Sequence, residues 1–298
     1  MTKKTADDFH PEVLGLFDQF VHGDITRRDF LNRAAKFAVA GVSASTLLTA
    51  LSPSFAEAKQ INEDDARIHA QYVEYPSPNG SGTLRGYLVA PANVSGPLAT
   101  VLVVHENRGL NPHIEDIARR LAIDGFIAFA PDALFPLGGY PGDEDKARDL
   151  FQTLDQSKIR EDFITAAGVL KSLPEGNGKV GVVGFCYGGA MANFLATRLP
   201  ELAAAVPFYG GQPTASEAAS IKTPLLLHFA GEDARVNAGW PAYEAALKAA
   251  NVSYQAYVYP SVQHGFNNDT TPRYDAAAAK LAWARTLTFL RQHLATAC

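Results

Sequence analysis

Apolar and polar positions recur along the chain with two periods, and together these predict an alternating order of strands and helices. Continuous apolar runs such as 100–105 (TVLVVH) and 224–230 (PLLLHFA) are typical of strands covered on both faces. Segments 69–74 and 84–89 nearly alternate, and the Pro-Asn-Gly-Ser-Gly between them predicts an antiparallel opening pair. The predicted strands are 69–74, 84–89, 100–105, 126–130, 180–183, 203–209, 224–230 and 254–259.

Helical periods fill most of the gaps between these strands. In 112–124, for example, Ile114, Ile117 and Leu121 fall on one face. The predicted helices are 112–124, 143–173 in two pieces, 190–199, 241–250 and 275–293. Repeated strand–helix units joined by short loops predict the α/β class, with a mostly parallel central sheet and helices on both faces. No linker or repeat divides 66–298, which we therefore interpret as a single domain.

The hexapeptide Gly184-Phe185-Cys186-Tyr187-Gly188-Gly189 lies between a predicted strand and a predicted helix. A strand, a tight Gly-rich turn and a helix, with a nucleophile at the tip, is the context of a nucleophile elbow, here with cysteine in the place of serine. The tip residue of an elbow has a strained backbone, and the flanking glycines remove side chains that would collide with it. A buried cysteine in a Gly-rich turn is the alternative interpretation of this pattern.

A thiol nucleophile needs a base, and the base needs an acid to orient it; in this type of fold both come from loops after later strands. Asp233 follows strand 224–230 and is the candidate acid, although it could instead be a turn or N-cap residue. His264 lies in the loop after strand 254–259 and is the candidate base. His228 lies inside an apolar strand and is interpreted as a core histidine.

An oxyanion hole is expected from two backbone N–H groups beside the nucleophile. In elbow enzymes, one donor is the residue after the nucleophile and the other lies in the loop after an early strand. These rules point to Tyr187 for the first donor and to Asn107, in the loop 105–110, for the second.

Residues 1–58 are expected to lie outside the fold, as a signal peptide and flexible N-terminus. Arg27 and Arg28 precede an apolar stretch, 37–51, and small-x-small sequences follow at 54–58. This order predicts a cleaved signal, and the paired arginines predict the twin-arginine export machinery as a partner and a periplasmic location. An amphipathic helix with a chance arginine pair, or an uncleaved anchor, are the alternatives. The apolar stretch of about fifteen residues is short for a membrane span, so no stable span is expected in the mature chain.

Composition narrows the possible partners further. The 298 residues carry a formal net charge of −5, without a basic stripe, which argues against nucleic acid as a ligand. The two cysteines, Cys186 and Cys298, do not define a disulfide framework, and Cys298 is the terminal residue. A free thiol in an oxidising compartment suggests that Cys186 is present for its chemistry.

Taken together, the motifs resemble those of the dienelactone hydrolase family, in the α/β-hydrolase superfamily. The matching motifs are H-E-x-R-G-L in the loop 105–110, G-F-C-Y-G-G at the elbow, G-E-D at the acid and H-G-F at the base, and the resemblance extends from Gln71 to Leu290. It implies an α/β-hydrolase fold and hydrolysis of small cyclic enol-lactones by a Cys-His-Asp triad, without a metal or other cofactor.

Carried over to this chain, the resemblance makes Cys186 the nucleophile, His264 the base and Asp233 the residue that orients the base. Glu106 matches a glutamate that holds the resting thiol neutral until substrate displaces it. A loop salt bridge with Arg108 is the alternative role for Glu106.

The chain departs from the family pattern at the substrate carboxylate. Members have one arginine shortly after the Pro-Asp of an early strand and another shortly after the catalytic histidine, but neither Pro131-Asp132 nor His264 is followed by one here. A neutral side chain does not replace a bidentate guanidinium clamp, so the expected substrate class widens to small esters or lactones. A more apolar pocket could be lined by aromatic residues, each of which also fits ordinary packing: Phe135, Tyr140, Tyr187, Tyr209, Trp240 and Phe266.

Two other functions fit the same residues. An exposed thiol of low pKa could serve a redox or stress protein, although the only other cysteine is terminal. The chain could also be a non-catalytic binding module, because a fold does not fix a function.

Overall fold

One eight-stranded sheet organises the computed structural model, which describes residues 4–38, 42–94 and 96–295. The strands are β1 Ile68–Ser77, β2 Gly82–Pro91, β3 Leu98–Val104, β4 Ile127–Pro131, β5 Gly176–Phe185, β6 Ala204–Phe208, β7 Leu225–Glu232 and β8 Tyr254–Gln263. Their order across the sheet is β1-β2-β4-β3-β5-β6-β7-β8. β2 runs antiparallel to β1 and β4, and the remaining pairs are parallel. The predicted antiparallel opening pair and mostly parallel sheet are confirmed.

The helices cover both faces of this sheet, as the unbroken apolar strands predict. They are α1 Pro11–His22, α2 Arg27–Ala34, α3 Ala44–Leu51, α4 Phe55–Ala58, α5 Pro112–Ile123, α6 Glu144–Gln152, α7 Gln156–Lys171, α8 Tyr187–Arg198, α9 Ala215–Ala218, α10 Ala234–Asn237, α11 Trp240–Ala249 and α12 Ala276–Leu294. α5 and α12 pack on one face, and α6, α7, α8 and α11 pack on the other. The central strands are buried between these two layers, which explains their lack of polar alternation.

The N-terminal segment, residues 4–38 and 42–58, is folded in the structure. Helices α1, α2 and α3 share an apolar cluster whose members include Phe17, Phe20 and Phe30. Local signals explain α1: Pro11 begins the helix, and Gly23, with a φ of 85°, ends it. Ser54 N–H also donates to the carbonyl of Thr270 in the main domain, at 2.8 Å.

This packing differs from our expectation that residues 1–58 lie outside the fold. The amphipathic pattern of α1 buries six apolar side chains, and such a face is stable only against a partner surface. The export signal itself stays a prediction. Within the ranges that the structure describes, none of the helices is both long and apolar enough to cross a bilayer.

Candidate active site

The turn between β5 and α8 holds Cys186 in a strained conformation, as an elbow requires. Cys186 has φ 54° and ψ −111°, in a region that L-residues rarely adopt. A Cβ at Gly184 would lie 1.9 Å from the carbonyl oxygen of Gly188, and a Cβ at Gly188 would lie 2.1 Å from that of Val104. The glycines therefore allow close backbone approaches within the turn and to β3, whereas we expected them to clear space around Cys186 itself.

Asp233 and His264 meet at the same edge of the sheet as Cys186. β5, β7 and β8 are parallel, and the three residues follow their carboxyl ends. Nδ1 of His264 donates to Oδ2 of Asp233 at 2.5 Å. A ring nitrogen of His264 and the sulfur of Cys186 lie within 4.8 Å of each other. The topology thus brings together a thiol, an imidazole and a carboxylate, and these come from the three loops that the sequence suggested.

Asp233 has both of the roles considered from the sequence. Its Oδ1 accepts from the backbone N–H of Val236 at 3.2 Å and caps α10, while Oδ2 faces His264. The side chain is almost fully buried. Burial alone would raise the pKa of this carboxyl, but the hydrogen bond and the charge of His264 outweigh it and lower the pKa.

A second histidine, His22 of α1, reaches the same sulfur. Its Nε2 lies 3.4 Å from Sγ of Cys186 and 2.9 Å from Nη2 of Arg235. Its ring packs edge-on against the ring of His264, with centroids 4.7 Å apart. Cys186 is therefore flanked by two imidazoles, one from the main domain and one from the N-terminal segment.

These neighbours favour the thiolate form of Cys186. Burial raises the pKa of the thiol, but His264 and His22 outweigh burial and lower the pKa to about 5. The pKa of His264 is raised, because the Cys186 thiolate and the Asp233 hydrogen bond outweigh the burial that would lower it. Such shifts are typical of reactive cysteine sites.

A cavity of about 380 Å³ opens at the sulfur. This volume is in the range of small-molecule sites. Its lining is mixed, with aromatic, amide and guanidinium groups: His22, Asn107, Arg148, Phe151, Gln152, Gln156, Cys186, Tyr187, Ala190, Tyr209, Gly211, Arg235 and His264. Of the aromatic residues proposed from sequence, Tyr187 and Tyr209 belong to this lining.

The other predicted pocket aromatics lie elsewhere and correct our expectation. Phe266 is fully buried in the core against Tyr209, and Trp240 packs against Phe229. Phe135 lies under the guanidinium of Arg85. Tyr140 donates its hydroxyl to Glu144 at 2.9 Å. None of these four is among the residues that line the cavity at Cys186. These four residues were proposed to line the pocket because they are aromatic, but their packing against other parts of the protein accounts for their positions.

The loop after β3 lies beside the site. Nδ2 of Asn107 donates to the carbonyl of Val21 in α1 at 2.8 Å, so the side chain of Asn107 is bound to the N-terminal segment. The carboxylate of Glu106 accepts from Nδ2 of Asn268 at 3.0 Å. Arg108, the partner in the alternative role considered for Glu106, pairs with Glu144 at 2.9 Å.

The roles assigned to this loop and to the elbow amide stay predictions. Nε2 of His22 lies within hydrogen-bond distance of the sulfur, and the carboxylate of Glu106 is bound to Asn268. Tyr187 begins α8 directly after the nucleophile, where its backbone N–H would serve an oxyanion hole.

His228 is the core histidine that the sequence predicted. Its Nδ1 lies 2.9 Å from the hydroxyl of Tyr259, and its Nε2 lies 3.1 Å from the hydroxyl of Thr286. Both ring nitrogens are therefore satisfied, and burial lowers the pKa of His228 to about 3. Cys298, in contrast, lies outside the described residues.

The His22, Cys186 and His264 cluster is also compact enough to hold a metal ion, since its ligand atoms lie within 4.8 Å of one another. However, the guanidinium of Arg235 lies 2.9 Å from Nε2 of His22, the nitrogen that would have to bind the metal. A fixed positive charge at that distance opposes a divalent cation. We therefore interpret the cluster as a thiolate with two imidazoles and assign no metal to it.

Sequence analysis missed His22, Arg235 and Arg273. Asp18 and His22 are four residues apart on a helix that has clear start and stop signals, and those signals could have identified α1. Interpreting the whole segment as an export signal concealed them. Arg235 and Arg273 come later in the loops than the positions where the family pattern places its arginines.

Comparisons with known proteins identify families that match two parts of the chain. A model of the "Dienelactone hydrolase family" matches residues 84–294. A second model, described as "YqhI-like", matches residues 1–36. The second match spans the whole of α1 and α2.

Individual relatives match most of the chain. A Yersinia pestis protein named "Putative carboxymethylenebutenolidase" is 32% identical over 76% of this chain and 89% of its own. Protein usf of Aquifex pyrophilus is 36% identical over 75% of this chain and 99% of its own. A solved structure, the dienelactone hydrolase-like promiscuous phosphotriesterase P91 from metagenomic libraries, has a TM-score of 0.66 and 26% identity, covering 77% of this chain and 100% of that one.

Proposed function

The chain belongs to the dienelactone hydrolase family and is a carboxylic ester hydrolase, and from this premise we propose that it hydrolyses small esters or lactones with Cys186 as the nucleophile. One observation carries the proposal. His264 is bound to Asp233 at 2.5 Å through Nδ1, and a ring nitrogen of the same histidine lies within 4.8 Å of the sulfur, beside an open cavity. This is the nucleophile, base and orienting acid of a hydrolytic triad.

In the first half of the proposed reaction, Cys186 is a thiolate beside protonated His264, and the thiolate forms a bond to the carbonyl carbon. The carbonyl electrons move onto oxygen, where the N–H groups of Tyr187 and Asn107 are proposed to receive the charge. The carbonyl then re-forms and the bond to the leaving alcohol breaks. His264 gives its proton to that alkoxide, which leaves an acyl-enzyme on Cys186.

In the second half, water replaces the alcohol. Neutral His264 takes a proton from water as the oxygen attacks the acyl carbon, and the bond between carbon and sulfur breaks with its electron pair on sulfur. The acid product departs and the thiolate is restored beside protonated His264. Asp233 holds Nδ1–H throughout and fixes the tautomer that leaves Nε2 free to exchange protons.

The cavity supports a small substrate with an apolar face. Phe151 and Tyr187 pack edge-on at 4.8 Å and form one part of its lining, while Arg148 and Arg235 bring guanidinium groups to another part. A volume of about 380 Å³ suits a small ester or lactone better than an extended chain.

The triad can be tested with an activated aryl ester and rapid mixing. We expect a burst of phenol followed by slower turnover, and an added acyl mass on the peptide that contains Cys186. Cys186→Ala should remove both and lower kcat by roughly four to six orders of magnitude, as for nucleophiles of other triads. His264→Gln should act in the same direction, whereas His69→Gln, on an exposed position of β1, should not. Full turnover by Cys186→Ala would refute the proposal.

We also propose that the protein is exported to the periplasm by the twin-arginine route. The support is the sequence order of Arg27 and Arg28, the apolar stretch and the small residues after it. In the structure Arg27 pairs with Asp145 of the main domain at 2.7 Å, so engagement by an export receptor would require that contact to open. Cell fractionation of the full chain tests the proposal.

A further inference from the structure

A second imidazole faces the nucleophile, and it comes from the N-terminal segment. Nε2 of His22 lies 3.4 Å from Sγ of Cys186. We propose that His22 is a further catalytic residue, which keeps its proton and donates a hydrogen bond to the sulfur while His264 moves protons between sulfur, leaving group and water. This inference rests on the proposed function, because it takes Cys186 to be the nucleophile.

Asp18 positions this imidazole. Nδ1 of His22 donates to the backbone carbonyl of Asp18, one helical turn earlier, at 2.7 Å, and lies 3.3 Å from Oδ1 of the Asp18 carboxylate. With Nδ1–H held there, the ring presents Nε2 to the sulfur. His264 is held through the same ring nitrogen, Nδ1, but its hydrogen bond goes to the carboxylate of Asp233. Two imidazoles, each oriented by an aspartate, therefore face one sulfur.

Contacts with the main domain hold α1 in this place. Asp18 lies 3.3 Å from Nη1 of Arg273 and 3.9 Å from Nε of Arg235. The carbonyl of Val21, next to His22, accepts from Nδ2 of Asn107 at 2.8 Å. These partners lie in the loops after β3, β7 and β8, which are the loops that build the active site. The position of His22 is therefore set by the site itself.

His22 forms a wall of the cavity and does not fill it. His22 lines the same cavity of about 380 Å³ as Cys186 and His264. The side chain is 13% exposed, with the ring between the sulfur and the body of α1. Space for a substrate remains beside the ring of His22. We therefore assign His22 a role in the reaction and not a role in blocking the cavity.

The charged groups around the sulfur explain what His22 adds. Asp18 and Arg235 contact His22, Asp233 contacts His264, and His264 lies beside the sulfur. Further out, Arg273 pairs with Asp18, and Glu106, Arg273 and Asp269 lie around Tyr209, the neighbour of the sulfur. Burial disfavours a charged His22, but the Cys186 thiolate and the Asp18 hydrogen bond outweigh it and raise the pKa of His22 to about 10. For Nε2 to carry a proton and donate to the thiolate, Nη2 of Arg235, now 2.9 Å from that nitrogen, has to turn away, and the Asp18 carboxylate 3.9 Å from Nε of Arg235 is the partner to which it turns.

The proposed cycle uses this second charge at two points. When His264 has given its proton to the alkoxide, it is neutral, and the sulfur is uncharged because it is acylated. As water attacks and the carbon–sulfur bond breaks, negative charge returns to the sulfur while His264 is still taking up the proton from water. The imidazole of His22, held at Nδ1 by Asp18, is already in place beside the sulfur to receive that charge. In the proposed cycle His22 neither gives up nor takes up a proton. It stabilises the negative charge of the sulfur both when the thiolate attacks and when it leaves.

The test measures thiol ionisation and turnover in the full chain. Iodoacetamide alkylation of Cys186 is followed against pH in wild type, His22→Gln, Asp18→Asn and the control His69→Gln, with the ester assay run in parallel. In His22→Gln we expect the alkylation midpoint to rise by about one unit, which lowers the rate about tenfold at a fixed pH below the midpoint. We also expect kcat to fall more than KM changes. Asp18→Asn should shift both in the same direction by less, and His69→Gln should shift neither.

Circular dichroism and Tm establish that each variant is folded. An unchanged alkylation profile and kcat in folded His22→Gln would overturn the inference, and so would a rise in kcat/KM, which would make α1 an obstruction. Failure of the proposed function is a separate result, because ester hydrolysis would then survive in Cys186→Ala. If Cys186 is essential and His22→Gln has no effect, only the role of His22 is refuted.

Discussion

Substituting Asp233 with asparagine separates the two roles of this side chain. One oxygen caps α10 through Val236 N–H at 3.2 Å, and the other accepts from Nδ1 of His264 at 2.5 Å. Asparagine caps helices about as well as aspartate, so the first contact survives the change. The second does not, because the new amide can donate to Nδ1 and thereby favour the tautomer with the proton on Nε2. That tautomer has no lone pair with which to accept the thiol proton.

The magnitudes of the two effects differ widely. The cap is retained, so the free energy of unfolding should change by less than about 1 kcal/mol in Asp233→Asn. Loss of the correct tautomer should lower kcat by roughly 10²- to 10⁴-fold, as for orienting acids in other triads. Asp233→Ala loses the cap as well and leaves buried Nδ1 of His264 without its acceptor, which costs about 2–5 kcal/mol in total.

The assay pairs steady-state hydrolysis of an aryl ester with thermal unfolding. Asp275 provides a matched control, since its side chain caps α12 through Ala278 N–H at 2.7 Å and lies outside the set of residues that line the cavity. Asp275→Asn should leave both kcat and Tm unchanged, and Asp275→Ala should lower only Tm. If Asp233→Asn kept the wild-type kcat, or lost activity only in proportion to its Tm, the assignment of Asp233 as the orienting acid would be wrong.

The remaining predictions concern the thiol, the turn and export. The pKa of Cys186 is lowered to about 5, so the rate of thiol alkylation should be high above this pH and should fall as the pH drops through it. A series of labelling rates measured against pH tests this, and a rate that falls already near pH 8 would contradict it. Gly188→Ala should lower the free energy of unfolding by about 1–3 kcal/mol or more, because its Cβ would lie 2.1 Å from a backbone oxygen of β3. In contrast, a Cβ at Gly168 would have no neighbouring atom within 4 Å, so Gly168→Ala should raise the free energy of unfolding by about 0.5–1 kcal/mol. Equal Tm values for Gly188→Ala and Gly168→Ala would refute the steric argument. Replacing Arg27 and Arg28 together with lysine should retain the protein in the cytoplasm, and unchanged fractionation would contradict export by this route.

The N-terminal segment shows where local patterns were insufficient. An arginine pair followed by apolar and small residues is typical of an export signal, and that interpretation does not require the preceding residues to fold. The structure packs those residues as α1 and brings Asp18 and His22 to the active site. Their function could not be inferred from the sequence, because His22 and Cys186 are 164 positions apart and no local pattern indicates the contact.

The pocket was predicted poorly for a related reason. Aromatic residues are used both in cores and in substrate cavities, and the side chain alone does not distinguish the two. Phe266 is in the core, whereas Tyr209, from the same list, lines the cavity. Arg235 and Arg273 reach Asp18 from later positions in their loops, which motif spacing could not anticipate.

By itself, the sequence determined the strand order along the chain, the α/β class, and the identities of Cys186, Asp233 and His264 as the candidate triad. These followed from short-range signals, since apolar runs, glycine spacing and loop position each depend on a few neighbouring residues. Only the tertiary structure decided which side chains enclose the sulfur, because burial and proximity depend on how distant segments pack. That packing places His22 beside the sulfur of Cys186 and Phe266 in the core.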